Sequence, residues 1–337
     1  MSPELLAAGV ALGAVMLYAM FGGADFGGGV WSLLASGPRK DEQRLALERA
    51  LGPVWETNHV WLILLVVTLF TVFPAAYAVI FEALYLPLFI ALLGIVARGA
   101  AFAFRHYGRR DSRLAAQSLR WFSWASLATP FFFGTVIGAV TAGHLEVEGT
   151  RVLSGPFEGW LRPFALMCGL IGMLICAFLA AAYMVPRTEG ALREDFRRRA
   201  IGASLALGAA TTLAIPVAAA DAGRFAERLD DVRAVGAMAL TAVLGLTGLW
   251  ALWARRYRLA PLLAGATVAG VVATWGLAQH PYLLADALTY EEAAAARATV
   301  SAFLVALPIG ALILVPSLLL LYLTFSREKL RGEETAH

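Results

Sequence analysis

The sequence is poor in charge. Only 15% of its 337 residues are Asp, Glu, Lys or Arg, against about 25% in an ordinary soluble domain. Hydrophobic residues make up 60%, and the mean hydropathy is +0.71. That balance excludes a soluble globular fold and leaves an all-α polytopic membrane protein. The net charge is only +3, so nothing argues for a nucleic-acid partner. Cysteine is nearly absent. Cys168 and Cys176 share one apolar stretch at a spacing that makes neither a metal motif nor a disulfide framework, and they read as filler thiols of a helix. There is no Gly-rich nucleotide loop, no HExxH, no CxxCH and no nucleophile triad. No lysine or arginine precedes the first apolar run, where Glu4 stands, so a cleavable signal peptide reads poorly and the first helix is expected to be retained. The links between apolar runs reach roughly 15–20 residues, too short for a second core, so residues 1–337 are expected to form a single integral-membrane domain.

What is present is a rhythm of nine apolar stretches, each near the roughly 20 helical residues that cross a bilayer. Their cores run over 5–34, 54–76, 80–103, 121–142, 161–185, 200–220, 234–253, 260–279 and 300–325. The first is too long for an upright span and is expected to tilt or to continue beyond the lipid. The links after the first, third, fifth and seventh stretches, with the tail, hold 20 of the 27 basic residues. The positive-inside bias therefore predicts the N-terminus outside and the C-terminus in the cytoplasm, which requires an odd number of spans. Outer links carry acids, among them Glu146, Glu148, Glu158, Asp221 and Asp286, which read as wetted loops. Trp121, Trp124, Trp160, Trp250 and Trp253 fall near stretch ends, where indoles settle among lipid headgroups. Trp275 to Tyr282, with His280 and Pro281, reads as an anchored helix end. Pro130, Pro216, Pro308 and Pro316 interrupt predicted helices.

The organising segment is Gly52–Tyr77, which groups Trp55, Glu56, Asn58, His59 and Trp61 before a long apolar run. Three-residue spacing puts Glu56 and His59 on one side of a helix, and Trp55 with Asn58 on another. A charged side chain at mid-bilayer costs about 2.5–3.5 kcal/mol even on the mildest scale, so Glu56 is expected to face the protein interior, handling protons or holding a polar network. A second deep acid, Asp25, sits among Gly22, Gly23, Gly27, Gly28 and Gly29, where close helix approach and a locally opened turn are both expected. Arg98 ends the third stretch. Alternation of the spans places Asp25, Glu56 and Arg98 in the cytoplasmic half of the membrane. Arg98 then offsets one carboxylate, locks the first three helices as a buried ion pair, or snorkels to the interface. His59 is the one histidine plainly inside a predicted span. Haem ligation wants an axial His or Met, and no pair of deep histidines offers it. Glu82, Glu158, His144 and His280 fall at outer boundaries and read as surface groups.

The stretch GPVWETNHVW, with GGADFGGG and the later WGLAQHPYLL, resembles subunit II of the cytochrome bd-type quinol oxidases, including the cyanide-insensitive variants. The resemblance runs over nearly the whole chain. Asp25 matches the second aspartate of the family's D-G-F-D-x-G-x-G, the first falling at Gly22. The W-D-G-N-Q-V-W pattern becomes Trp55-Glu56-Thr57-Asn58-His59-Val60-Trp61. Arg98 fits the arginine after the third span, and the acidic position that follows it is Ala103 here. The resemblance implies a subunit that ligates no haem, packed beside a haem-bearing subunit I that carries haem b and haem d and oxidises quinol. Dioxygen is reduced to water with cytoplasmic protons. Asp25 and Glu56 then look like members of a proton-delivery path, with His59 as an extra relay and Arg98, Asn58, Trp55 and Trp61 as charge-balancing or structural partners. The family also allows a small single-span subunit and a bound quinone or lipid beside the membrane lipids, in a bacterial or archaeal cytoplasmic membrane. Two other readings stay open at this point: a proton-coupled transporter, and a structural companion whose acids carry no transferred proton.

Overall fold

The computed structural model describes the backbone of residues 2–51, 55–107 and 113–334, and the side chains of these except 51, 55–57, 102, 105–107, 113–116, 119 and 321–334. Ser2 caps the first helix, α1 (Pro3–Leu17). Its hydroxyl accepts from the Leu5 amide at 3.2 Å, and Pro3 fits the first turn, where no amide donor is needed. The chain then passes through a π-helical turn, Tyr18–Gly22, straight into α2 (Gly23–Leu33). The locally opened turn expected around Asp25 is this widening, placed just before it. A polar helix, α3 (Lys40–Leu51), separates this rod from α4 (Trp55–Val72).

After α4 the chain breaks at Phe73 and resumes as α5 (Pro74–Ala83), bent by 117°. Pro74 has no amide hydrogen and pushes the residue before it out of the helical region, as Phe73 shows with φ −124° and ψ 57°. Residues 80–83 therefore belong to this crosswise helix, and the stretch expected over 80–103 starts instead at α6 (Tyr85–Tyr107). There follow α7 (Arg113–Ala142), the hairpin β1 (Val147–Glu148) with β2 (Arg151–Val152), α8 (Pro163–Met184), α9 (Gly190–Asp221), α10 (Gly223–Leu229), α11 (Val232–Trp253) and α12 (Ala260–Gln279). A second hairpin, β3 (Tyr282–Leu284) with β4 (Leu288–Thr289), leads through α13 (Tyr290–Ala293) to α14 (Arg297–Glu334). Among the described residues seven helical stretches are long and apolar enough to cross a membrane, or eight if the bent α4–α5 pair counts as one. The shorter apolar helix Tyr85–Ala101 accounts for the difference from the nine expected.

Helix α8 sits at the centre, with α2, α7, α9 and α12 around it. Phe178, Leu179 and Ala181 of its second half, with Val185 just after it, are fully buried with Phe196 and Ala200 of α9 and Ala264 and Val268 of α12. Small residues let the backbones close in. A methyl group on Gly27 of α2 would run into the Cys176 carbonyl of α8, and one on Gly29 into the Ser126 side chain of α7. A second cluster joins Ala7, Val72, Phe73, Val79, Leu84 and Val300 at the hairpin end.

Two readings of the links need correction. Trp160 is buried at 8% exposure, its indole N–H donating to the Pro156 carbonyl at 2.9 Å, whereas Trp121, Trp124, Trp250 and Trp253 are exposed. Asp221 is no wetted loop acid. Its carboxylate accepts from the Phe164 amide at the start of α8 (2.9 Å) and pairs with Arg162 at 3.1 Å. His144 Nε2 lies 2.5 Å from the Asp221 carbonyl. A donor-rich helix start is thereby satisfied by the end of the next helix. Trp275 is anchored as expected of a helix end, its indole donating to Thr141 Oγ1 of α7 at 2.8 Å.

Candidate functional site

The π turn of the first rod and the start of α4 bring four polar side chains together. Asn58 of α4 donates from Nδ2 to the Asp25 carboxylate, and also to the Phe21 carbonyl at 3.4 Å. That carbonyl belongs to the π-helical turn, where backbone acceptors are displaced from the regular ladder. His59, the next residue, turns Nδ1 to the Tyr18 hydroxyl at 3.5 Å. One turn of α4 therefore addresses both ends of the widened segment.

Arg98 lies behind this group. It is buried at 3% exposure, with its guanidinium 4.6 Å from the centre of the Phe26 ring and 5.1 Å from that of Phe122. Two aromatic faces replace part of the hydration a cation loses inside a membrane protein. Phe26 links Arg98 to this group, since the same ring also meets Tyr18. Arg98 does not snorkel. The Tyr18 ring also meets Phe26 and Phe133 edge-on, and Phe26 lies edge-on to His59. The walls of the site are thus aromatic and its floor is the glycine-mediated contact of α2 with α8. Asp25 itself is half-buried on this chain.

Asp25, the neighbours Asn58 and His59, and Arg98 are thus brought together from three separate segments of the sequence. Trp61 is half-buried three residues beyond Asn58. Trp55 and Glu56 stand on the first turn of α4, and their side chains lie outside the described residues. Sequence reading missed Tyr18, Phe26 and Phe122. Tyr18 precedes Asp25 by seven residues, a two-turn spacing that puts both on one helix face and was available as a signal. Phe122 had none, because its role depends on where α7 crosses α6.

The family model described as cytochrome bd terminal oxidase subunit II matches residues 3–325. The chain belongs to that family. It is 27% identical over 179 residues to the cytochrome bd ubiquinol oxidase subunit 2 of Bacillus subtilis (strain 168), covering 53% of this chain and 52% of that one. To the cytochrome bd-I ubiquinol oxidase subunit 2 of Escherichia coli (strain K12) it is 26% identical over 198 residues, covering 56% of this chain and 50% of the relative. The chain spans about half the length of these curated relatives. The solved bd oxidase from Geobacillus thermodenitrificans contains a chain of the same fold, with a TM-score of 0.80 at 21% identity over 96% of this chain and 99% of that one.

Among the described residues the histidine side chains of this subunit II chain already have protein partners. His59 is engaged with Tyr18 and walled by Phe26, His144 is engaged by Asp221 and Arg162, and His280 meets the Tyr290 hydroxyl. No three His, Cys, Asp or Glu side chains gather to hold a metal ion among the described residues.

Proposed function

We propose that this chain is the subunit II of a bd-type quinol oxidase that ligates no haem, and that it supports assembly and delivers cytoplasmic protons to a haem-bearing partner. In this reading it crosses the inner membrane of a bacterium nine times, N-terminus outside, with α4 and α6 as the second and third spans and α5 lying at the surface. Haem b and haem d belong to subunit I, which oxidises quinol and reduces dioxygen to water. A small single-span subunit and a bound quinone or lipid complete the assembly that the family allows.

The observation that carries the reading is the Asp25–Asn58 contact beside Tyr18, His59 and the buried Arg98. Asp25 is the proton carrier. Asn58 presents an N–H to one carboxylate oxygen, which fixes the carboxyl and leaves the other oxygen for the proton. Arg98 balances the charge left when the proton departs. Glu56 takes protons at the start of α4, one turn toward the arginine-rich end, and His59 with Tyr18 relays them along the π turn. A second reading, an assembly role without proton transfer, is favoured by one observation: Arg98 is held between two phenyl rings, as a structural cation would be.

Glu56→Gln in the assembled complex separates the two. Proton delivery predicts that oxygen reduction slows by about tenfold or more while the haem spectrum and the subunit ratio stay unchanged. Unchanged turnover at neutral pH contradicts it, and loss of haem on the same substitution assigns Glu56 to assembly.

A further inference from the structure

We propose that the turn between α11 and α12 holds the phosphate of an anionic phospholipid, with the acyl chains lying along the exposed face of α11. The inference goes beyond the oxidase reading and does not depend on it.

Three arginines, Arg255, Arg256 and Arg258, form this turn with Tyr257 and Leu259, and together they line a concavity of about 360 Å³. All three are exposed. Among the described residues none has a carboxylate within salt-bridge distance. The sequence from Val232 to Ala285 contains no Asp or Glu, so α11, the turn and α12 supply no counter-charge of their own. The neighbouring arginines are different. Arg197 and Arg198 are paired with Glu194, and Arg39 with Asp195. Arg193 lies over the Tyr257 ring at 4.9 Å.

The backbone holds the cluster firmly. The Arg256 amide donates to the Ala251 carbonyl at 2.8 Å and the Arg255 amide to that of Leu252 at 3.4 Å, which makes a Schellman close to α11. Arg255 takes φ 58° there, a position where glycine is the least strained residue. An arginine at that position exchanges backbone ease for a third cation.

The apolar half of the ligand is matched by α11. Leu240, Val243, Leu246, Trp250 and Trp253 recur at three- and four-residue spacing and are 60%, 59%, 67%, 53% and 77% exposed. The stripe ends in two indoles directly before the arginines, the order in which acyl chain, interface and phosphate occur in a lipid leaflet.

The test uses the full-length chain purified with whatever subunit copurifies, with native mass spectrometry as the readout. Phosphatidylglycerol, phosphatidylcholine and inorganic phosphate are the probes. The expected result is phosphatidylglycerol retained at least fivefold over phosphatidylcholine, insensitive to excess inorganic phosphate. In R255Q/R256Q/R258Q that preference falls to unity, and in R255K/R256K/R258K it returns. Equal retention of both lipids, an unchanged preference in the glutamine variant, or displacement by inorganic phosphate overturns the proposal. If the glutamine variant does not assemble, a photoreactive phosphatidylglycerol on the wild type decides. Adducts within Trp250–Leu262 support the site, and adducts confined elsewhere, or a protein crosslinked to this turn, overturn it.

Discussion

Replacing Arg98 with methionine removes a buried cation while keeping most of its length. The guanidinium is 3% exposed and contacts two phenyl rings, so the loss begins with about 0.5–2 kcal/mol for each cation–π contact. The larger effect is on Asp25, whose carboxylate keeps Asn58 but loses its nearby positive charge. Breaking a fully buried ion pair costs roughly 3–5 kcal/mol; Asp25 is half-buried, so a smaller loss is expected. Thermal unfolding of the detergent-purified complex should shift down by several degrees or more. The informative variant is the double one. If Arg98 serves mainly to balance Asp25, then Asp25→Asn with Arg98→Met is more stable than Arg98→Met alone, with a coupling of about 1–3 kcal/mol. Arg98→Lys keeps the charge but loses the planar stacking surface and falls between wild type and methionine. Strict additivity of the two substitutions would refute the claim that these residues form one electrostatic unit.

Two further outcomes follow from the geometry. Gly27→Ala forces α2 away from α8, since the new methyl meets backbone and not a yielding side chain; a loss of about 1–3 kcal/mol is expected in thermal unfolding, whereas Gly13→Ala, with no atom within 4 Å of the added carbon, stays within about 0.5 kcal/mol of wild type. At the hairpin end Glu292 closes a capping box on Thr289, and those hydrogen bonds hold its carboxyl below the ordinary glutamate range. Its contribution is therefore complete above the ordinary value of roughly 4.3 and is lost as pH falls through the lowered one; hydrogen exchange at the Thr289 amide should rise across that acid window in the wild type and show no such step in Glu292→Gln.

How much of this could be read from the chain alone differs from residue to residue. Asp25, Asn58, His59 and Arg98 stood out because polar groups in apolar helices demand internal partners; Asp25 and Asn58 supply each other's, while His59 meets Tyr18 and Arg98 the rings of Phe26 and Phe122. The break at Phe73-Pro74 follows from proline's own chemistry. The length of α5 does not, because PAAYAVIFEA reads equally well as the start of a span or as a helix along the surface. Hydropathy carries no register, so the π turn at Tyr18–Gly22 left no trace beyond Gly22 and the glycines that follow it. Asp221 and Phe164 are 57 residues apart, and a cap supplied over such a distance leaves no local pattern. Trp160 followed the rule for interfacial indoles in composition only; its burial depends on how Phe132 and Leu145 pack at the hairpin end.

The central claim is that Asp25 carries protons bound for dioxygen reduction. Proton uptake by the assembled complex during a single turnover, followed with a pH indicator dye in Asp25→Asn and wild type, measures this directly. The account predicts uptake slowed by about tenfold or more with haem content and subunit ratio unchanged. Uptake at the wild-type rate in the asparagine variant would contradict it.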